Sequence, residues 1–570
     1  MKKRNQKVKV LNVVAPIALA AMAMMPFAKG NQDIVNPASL LKANGGYASP
    51  AYDSNEDAKQ AAEDINIQLT GEGSVLLKND NSALPLKKAT EKVTVFGTAA
   101  SALQGGTGNV RTALADDSFT VNETILTESD FSNAETETAA DGKVGEFKDV
   151  AVVVLKRGGG EGSDLSVKTS ELAADATEND GWTHKALAKD GEGNVYKHNQ
   201  MLTASEIKMI DFAKKKCSKV VVLLNTSNAM EMYNLQQDKD IDSIMFIGRP
   251  GQNGIKAVPK LLSGEMNPSG KLVDTWDKDF TANPTWYNSI ANVQNDAGTN
   301  SFIKEDGTVA TGTVATHGID YSEDIYLGYK YSETVYEEIR TGHLTYKNGV
   351  LAKGAGTAAE AEAWYKDNVV YPFGSGLSYS TFEIGKPTLD FASLRASQVN
   401  SGGDHIAEIK KVKVTVTVKN TGTVAGKETV EIYSKAPYTH GGIEKAAVNL
   451  VGFAKTKLLA AGESQTLTID VNLQDLASYD YSDKNSNDFK GYELEKGEYS
   501  LIASDTSHCS ASENKAILNI LEDGELGLDD YSDNAIENLF SSGRNQSLRT
   551  NDNDWNGDGV INDEDKMFTE

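Results

Sequence analysis

Four short apolar runs constrain this chain more than anything else in it. "KVTVFG" (Lys92–Gly97), "DVAVVVL" (Asp149–Leu155), "KVVVLLN" (Lys219–Asn225) and "IDSIMFIG" (Ile241–Gly248) each have the length of a strand. Strands that read as continuous apolar runs are covered on both faces, the condition of a parallel sheet held between helices. The connections agree with this. Between the second and third runs stands "LTASEIKMIDFAKKK". There Thr203 and Glu206 form a capping box, Ile207 and Ile210 share a face, and lysines load the last turn. The expected fold class is α/β, a three-layer α/β sandwich with a mainly parallel sheet, over residues 60–390 with long loops.

Residues 405–510 have a different texture. "KVKVTVTVKN" alternates strictly, as a half-buried strand does, and "NTGTVAG" supplies the turn. "KETVEIYS", "GESQTLTIDV" and "GEYSLIAS" continue at sandwich-like spacing, which predicts a small antiparallel β-sandwich of fibronectin or immunoglobulin type. Between the two textures, residues 281–400 are rich in Gly, Thr, Asp and Tyr. "DYSEDIYLGYKYSETVY" and "VVYPFGSGLSYSTFE" are their structured parts.

The first 30 residues carry an address. "MKKRNQKVKV" is basic and "LNVVAPIALAAMAMMPFA" is apolar, the pattern of a secretory signal peptide or an N-terminal anchor. Residues 31–59 read as a linker. The expected location is therefore extracellular, either secreted or anchored at the cell surface. Net charge is −25, so a nucleic-acid partner is disfavoured and a neutral sugar is compatible. Two cysteines, Cys217 and Cys509, exclude a disulfide framework. The seven histidines are scattered and form no HExxH or Cys/His cluster, which leaves a catalytic zinc site almost without support.

Five segments in order resemble glycoside hydrolase family 3, the β-glucosidases and their relatives. They are "EGSVLLKNDNSALPL" (Glu72–Leu86), "GEMNPSGKLVDTW" (Gly264–Trp276), "YPFGSGLSYSTF" (Tyr371–Phe382), "NTGTVAGKETVEIY" and "GYELEKGEYSL". The first three resemble that family's α/β-sandwich domain, and the last two its fibronectin type III-like domain. The resemblance implies a hydrolase of β-linked sugars needing no cofactor, with an oligosaccharide or β-glycoside as partner. It also implies a catalytic acid/base on a Gly-Glu-Gly loop, which falls here on Glu161 in "VVVLKRGGGEGSDLS" (Val152–Ser166).

The residues support part of this independently. Ligands of parallel sheets bind beyond the carboxyl ends of the strands, and both "GGTGNV" (Gly105–Val110) and "GGGEGSD" (Gly158–Asp164) follow such strands. Glycines let backbone approach a sugar ring closely. Gly105, Gly106 and Gly160 are candidate substrate contacts, and Asp164 is a loop cap or a secondary contact. For Gly105 and Gly106, close loop packing is the competing account. A glycosidase needs a carboxylic acid to protonate the departing oxygen, and a desolvated Glu can hold its proton near neutral pH. Read without the resemblance, Glu161 fits a solvated loop charge as well.

Retaining glycosidases need a second carboxylate as nucleophile. The family resemblance places it on a TIM-like barrel, which needs at least about 200 residues. Neither the residues before 60 nor those after 505 have room for one. In some members the barrel comes last, and "NAIENLFSSGRNQSLRTNDNDW" resembles the linker leading into it. The expectation is a chain carrying the acid/base half, truncated where the barrel should begin, and inactive alone unless a barrel-bearing chain completes it.

The acidic linker and tail, residues 511–570, contain "DWNGDGVINDED". This fits a calcium loop, with Asp554, Asn556, Asp558, Asn562 and Asp565 offering oxygens and Gly559 making the turn. It resembles one repeat of a dockerin, the module that plugs into a scaffold protein. Ca2+ is thus a candidate ligand there, with an acidic disordered tail as the bland account. The alternative function is a non-catalytic carbohydrate-binding or cellulosome-like accessory protein. It would use the glycine-rich edge and aromatic segments such as "YLGYKY" (Tyr326–Tyr331).

Overall fold

The computed structural model describes residues 54–159, 200–285, 301–303, 309–311, 323–395, 409–527 and 534. The chain divides into two compact units, Met1–Asp64 and Ile65–Glu570. The described part of the first is helical, the opening of a helix over Asn55–Gly73. Ser54 Oγ caps it by accepting from the Asp57 N–H at 3.0 Å. The helix therefore begins inside the span expected as linker. Among the described residues, no helix is long and apolar enough to cross a membrane.

The sheets all lie in the second unit. Six strands form the first of them: β1 (Val75–Asn79), β2 (Lys92–Phe96), β3 (Thr120–Leu126), β4 (Val150–Lys156), β5 (Lys219–Asn225) and β6 (Ser243–Phe246). Their order is β1-β6-β5-β4-β2-β3. β6-β5-β4-β2-β3 run parallel, while β1 pairs antiparallel with β6 at the edge. The four apolar runs are the four central strands, as their two-sided burial requires.

Alternation along β4 sends its residues into two cores. Val150, Val152 and Val154 join Leu114, Val258 and Leu261 from helices on one face. Ala151, Val153 and Leu155 join Ile207, Ile210 and Phe212 on the other. On that second face the rings of Phe131 and Phe212 pack 4.9 Å apart between centroids. The helix Ala204–Lys216 begins with the expected capping box. Thr203 Oγ1 accepts from the Glu206 N–H at 3.1 Å, and Glu206 Oε2 accepts from the Thr203 N–H at 2.8 Å.

Between Leu272 and Gly374 the chain makes a long excursion, at whose base Trp276 and Tyr371 still pack in the sheet's core beside Phe246. The two ends are pinned together, since the Leu272 N–H donates to Ser375 O at 2.9 Å and the Gly374 N–H to Leu272 O at 2.8 Å. In its described residues the excursion is more ordered than a loop-like composition predicts. It holds the helix Tyr329–Thr341, a hairpin of Leu344–Lys347 with Val350–Lys353, and the helix Ala358–Asn368. Tyr331, Val335, Tyr336, Ile339, Trp364 and Tyr365 make its core. Tyr326 and Tyr331 of the "YLGYKY" segment are buried here, and the Tyr329 ring packs against Phe373 and Tyr433.

The sandwich follows. Strand Lys411–Asn420 alternates buried and outward positions, and it pairs antiparallel with Ser464–Asn472 along its length. The opposing sheet contains Thr429–Lys435, Asn449–Lys455, Gly497–Ser504 and Lys515–Ile520. Tyr433 and Tyr499 are its largest fully buried side chains. Two boundaries differ from expectation. Strand Phe382–Ile384 pairs with Lys411–Asn420, so the sandwich begins before residue 390. Strand Lys515–Ile520 pairs with Gly497–Ser504, so residues 511–527 complete the sandwich rather than opening an acidic tail.

Candidate functional site

Parallel pairing brings the carboxyl ends of β2, β4, β5 and β6 to one edge of the sheet. Four residues tie the loops that leave this edge. Asn225, the last residue of β5, is fully buried. Its side chain accepts from the Gln104 N–H at 2.5 Å and donates to Gln104 O at 3.0 Å and Gly248 O at 2.8 Å. One amide thus joins the loop after β2 to the loop after β6. Arg249 then crosses from the β6 loop to donate to the carbonyl of Gly159, in the loop after β4.

The exit of β4 is fixed from the other side. Arg157 is buried and meets Glu206 through two bonds, Nη1 to Oε1 and Nη2 to Oε2, both 2.8 Å. Nη2 also donates to Met201 O at 2.6 Å. Such a fork fixes both side chains in one geometry, so the pair sets where the backbone leaves the strand. Lys156 Nζ donates to Ala102 O at 3.1 Å, a further link to the β2 loop.

Gly105 and Gly106 sit within this lattice. The Gly251 N–H donates to Gly105 O and the Thr107 N–H to Gly251 O, both at 3.0 Å, which makes a short parallel bridge between the two loops. Gly105 has φ +59°, and a Cβ there would lie 2.5 Å from Arg249 Cδ. A Cβ on Gly106 would meet Pro250 Cγ at 3.0 Å. Loop packing therefore accounts for glycine at both positions, and the bridge they form is part of the edge itself. Gly160, Glu161 and Asp164 lie outside the described residues, as do Asp554, Asn556, Asp558, Asn562 and Asp565. What the described edge fixes is the point from which the Glu161 loop departs, at Gly159.

Arg157, Asn225, Arg249 and the second task of Glu206 were not singled out from sequence. A signal existed for two of them. Asn225 is a polar residue closing an apolar strand at its carboxyl end, where a parallel sheet binds ligands. Arg249 stands in "IGRPG", just past another such end. Glu206 was accounted for by its cap, which concealed its pairing with Arg157.

The architecture is a six-stranded α/β layer followed by a fibronectin-like sandwich, with glycine loops at the carboxyl edge of the strands. Residues 74–329 match the glycosyl hydrolase family 3 C-terminal domain, and residues 428–507 match the fibronectin type III-like domain. The chain thus carries the C-terminal domain of glycoside hydrolase family 3 followed by a fibronectin type III-like domain. It is 30% identical over 474 residues to beta-glucosidase A of Butyrivibrio fibrisolvens, covering 78% of this chain and 49% of that protein. A beta-glucosidase of Ruminococcus albus is 30% identical over 361 residues, covering 63% of this chain and 27% of its own length. The chain thus spans about half the length, or less, of these curated relatives. Beta-glucosidase 3B of Thermotoga neapolitana has the same fold, with TM-score 0.55 and 23% identity over 82% of this chain and 55% of that one. Among the described residues there is no (β/α)8 barrel.

Proposed function

We propose that this chain carries the acid/base half of an exported glycoside hydrolase of the β-glucosidase type, with Glu161 as the acid/base. The observation that carries the reading is the preorganised strand edge in a chain matched by the family's C-terminal domain. Arg157, Asn225 and Arg249 hold the loop ends of three strands together, and the glycine-rich loop bearing Glu161 departs from that frame. Proton donation to a leaving oxygen needs a carboxyl placed to within a few tenths of an ångström, and a rigid base for its loop supplies that placement.

The reaction follows from the paired-carboxylate scheme. Glu161 gives its proton to the glycosidic oxygen as a nucleophilic carboxylate attacks the sugar's anomeric carbon. It then takes a proton from the water that releases the sugar. We assign the nucleophile to a barrel domain, supplied outside the residues matched here. The substrate class is a β-glucoside, by likeness to relatives named beta-glucosidase. No cofactor takes part in the reaction. The basic-then-apolar N-terminus supports export, and the Asp554–Asp565 loop supports a Ca2+ site in the tail.

The test is release of nitrophenol from an aryl β-glucoside by residues 30–570, alone and mixed with a family 3 barrel domain, with Glu161→Gln beside each. The reading expects activity only in the mixture, reduced by roughly 100- to 10,000-fold in the variant. Equal activity of Glu161→Gln and the parent chain in the mixture would remove Glu161 from the reaction.

A further inference from the structure

Two histidines and one glutamate, far apart in sequence, converge where the excursion meets the sandwich. Glu338 is on the helix Tyr329–Thr341 and is buried. Gly342, at φ +87°, turns the chain out of that helix, and the His343 N–H donates back to Glu338 O at 2.9 Å. His440 comes from the sandwich, in the loop between Thr429–Lys435 and Asn449–Lys455. His440 Nε2 lies 3.3 Å from Glu338 Oε2, and His343 Nδ1 lies 3.6 Å from the same oxygen. The two imidazole rings are 3.8 Å apart between centroids.

The neighbouring carboxylates already have partners. Glu337 is held by Arg340 at 2.7 Å and by Lys435 at 2.5 Å. Glu444 accepts from Tyr326 at 2.5 Å. Glu338 instead faces two imidazoles tilted 45° to each other. If both rings were cationic they would repel across 3.8 Å with one carboxylate to offset them. A single divalent ion between the three groups answers both rings and the carboxylate at once.

We infer that Glu338, His343 and His440 form a transition-metal site, with Zn2+ as its ion. Among the described residues they are the one trio of such groups whose ligand atoms all lie within 4.8 Å of one another. Zn–N and Zn–O bonds of about 2.0–2.1 Å in a tetrahedron put ligand atoms about 3.4 Å apart. The 3.3 Å separation of Glu338 and His440 is already such an edge. The half-exposed His343 closes the third by turning its ring. Thr341 Oγ1 lies 3.0 Å from His343 Nδ1, a contact that the ring gives up when it turns that nitrogen to the ion. Two imidazoles and one carboxylate suit Zn2+ better than Ca2+ or Mg2+. With both histidines open to solvent, the fourth position belongs to water. Such an ion would staple the helical excursion to the sandwich domain.

Metal-free full chain, with Ca2+ in excess to occupy the acidic tail, is titrated with Zn2+ by calorimetry. Its melting temperature is followed with and without a chelator. One ion per chain and a chelator-sensitive rise in melting temperature are expected. His343→Ala with His440→Ala weakens binding by more than about a hundredfold, since even changes behind the ligands cost roughly 10–100-fold. Both histidines are half-exposed, so the double variant keeps the parent's circular dichroism and its metal-free melting temperature. Co2+ gives the parent a tetrahedral absorption band that the double variant lacks. Equal Zn2+ affinity in the two proteins, or no binding by the parent, overturns the inference.

Discussion

Buried charge is handled in two ways in this molecule. At the edge of the α/β sheet one cation meets one anion, Arg157 with Glu206, through a two-bond fork. Around the helix Tyr329–Thr341 carboxylates crowd against neutral or weakly basic groups. Glu333 is fully buried and is met by Tyr365 at 2.6 Å, His508 at 3.0 Å and Ser507 at 3.2 Å. Glu431 has the Tyr433 hydroxyl at 2.7 Å. Burial pushes Glu333 above the usual carboxylate range, and it pushes Glu431 and the nearby Asp277 up to about 7. Glu337 goes the other way, held low by Arg340 and Lys435 against the burial that raises it. A carboxylate out of water thus either keeps a fixed cation beside it or keeps its proton. The edge uses the first solution, and most of the helix interface uses the second.

The comparison is most exposed at Arg157. Arg157→Met leaves Glu206 buried without its cation and should cost about 3–5 kcal/mol in urea unfolding. Adding Glu206→Leu should recover more than half of that. A single variant as stable as the parent would show that the fork does not hold the edge.

At the other region the sign reverses and depends on pH. Asp277 rises from its unfolded value to about 7 on folding, by burial first. Its protonated form therefore adds stability that is fully present below about pH 4 and is lost as pH rises through about 7. Asp277→Asn should match the parent near pH 4 and exceed it by about 2 kcal/mol at pH 8, since each tenfold gain in proton affinity on folding is worth about 1.4 kcal/mol at most. Asn283 Nδ2, 2.9 Å from Asp277 Oδ2, keeps an acceptor in the variant. Parallel stability–pH curves for the two proteins would refute the proton-keeping account.

Asn225 tests whether neutral bonds do comparable work at the edge. Asn225→Ala leaves the Gln104 N–H and two carbonyls unpaired and should cost about 2 kcal/mol. It should also increase amide exchange at Gly105 and Gly251. The smallest effect belongs to an exposed pair, Lys92 with Glu146 at 2.7 Å. Glu146→Ala should shift stability by less than about 0.5 kcal/mol.

Legibility from sequence followed burial symmetry. β4 and β5 are covered on both faces, so they appear as unbroken apolar runs, and Lys411–Asn420 is covered on one, so it alternates. The excursion was harder to read because its helices pack on tyrosines and buried glutamates rather than on an aliphatic stripe. Two local signals in it were available. Asn348-Gly349, both at positive φ, is the turn of its hairpin, and Thr357 with Glu360 marks the start of the helix Ala358–Asn368. At the site, the strand ends and glycine loops were visible as local pattern. The ties among them were not, because Asn225 with Gln104 and Arg249 with Gly159 join residues that only the folded sheet brings together.

The pinning of Leu272 to Gly374 and Ser375 has an evolutionary consequence. Two backbone bonds close the base of the excursion, so the sheet and the sandwich meet the same anchor whatever length of chain runs between 273 and 373. Each doubling of such a segment adds only about 0.6 kcal/mol of closure entropy. The neck therefore lets loops within the excursion change length at little cost, while its helices stay held to the sandwich through Glu333 with Ser507 and His508.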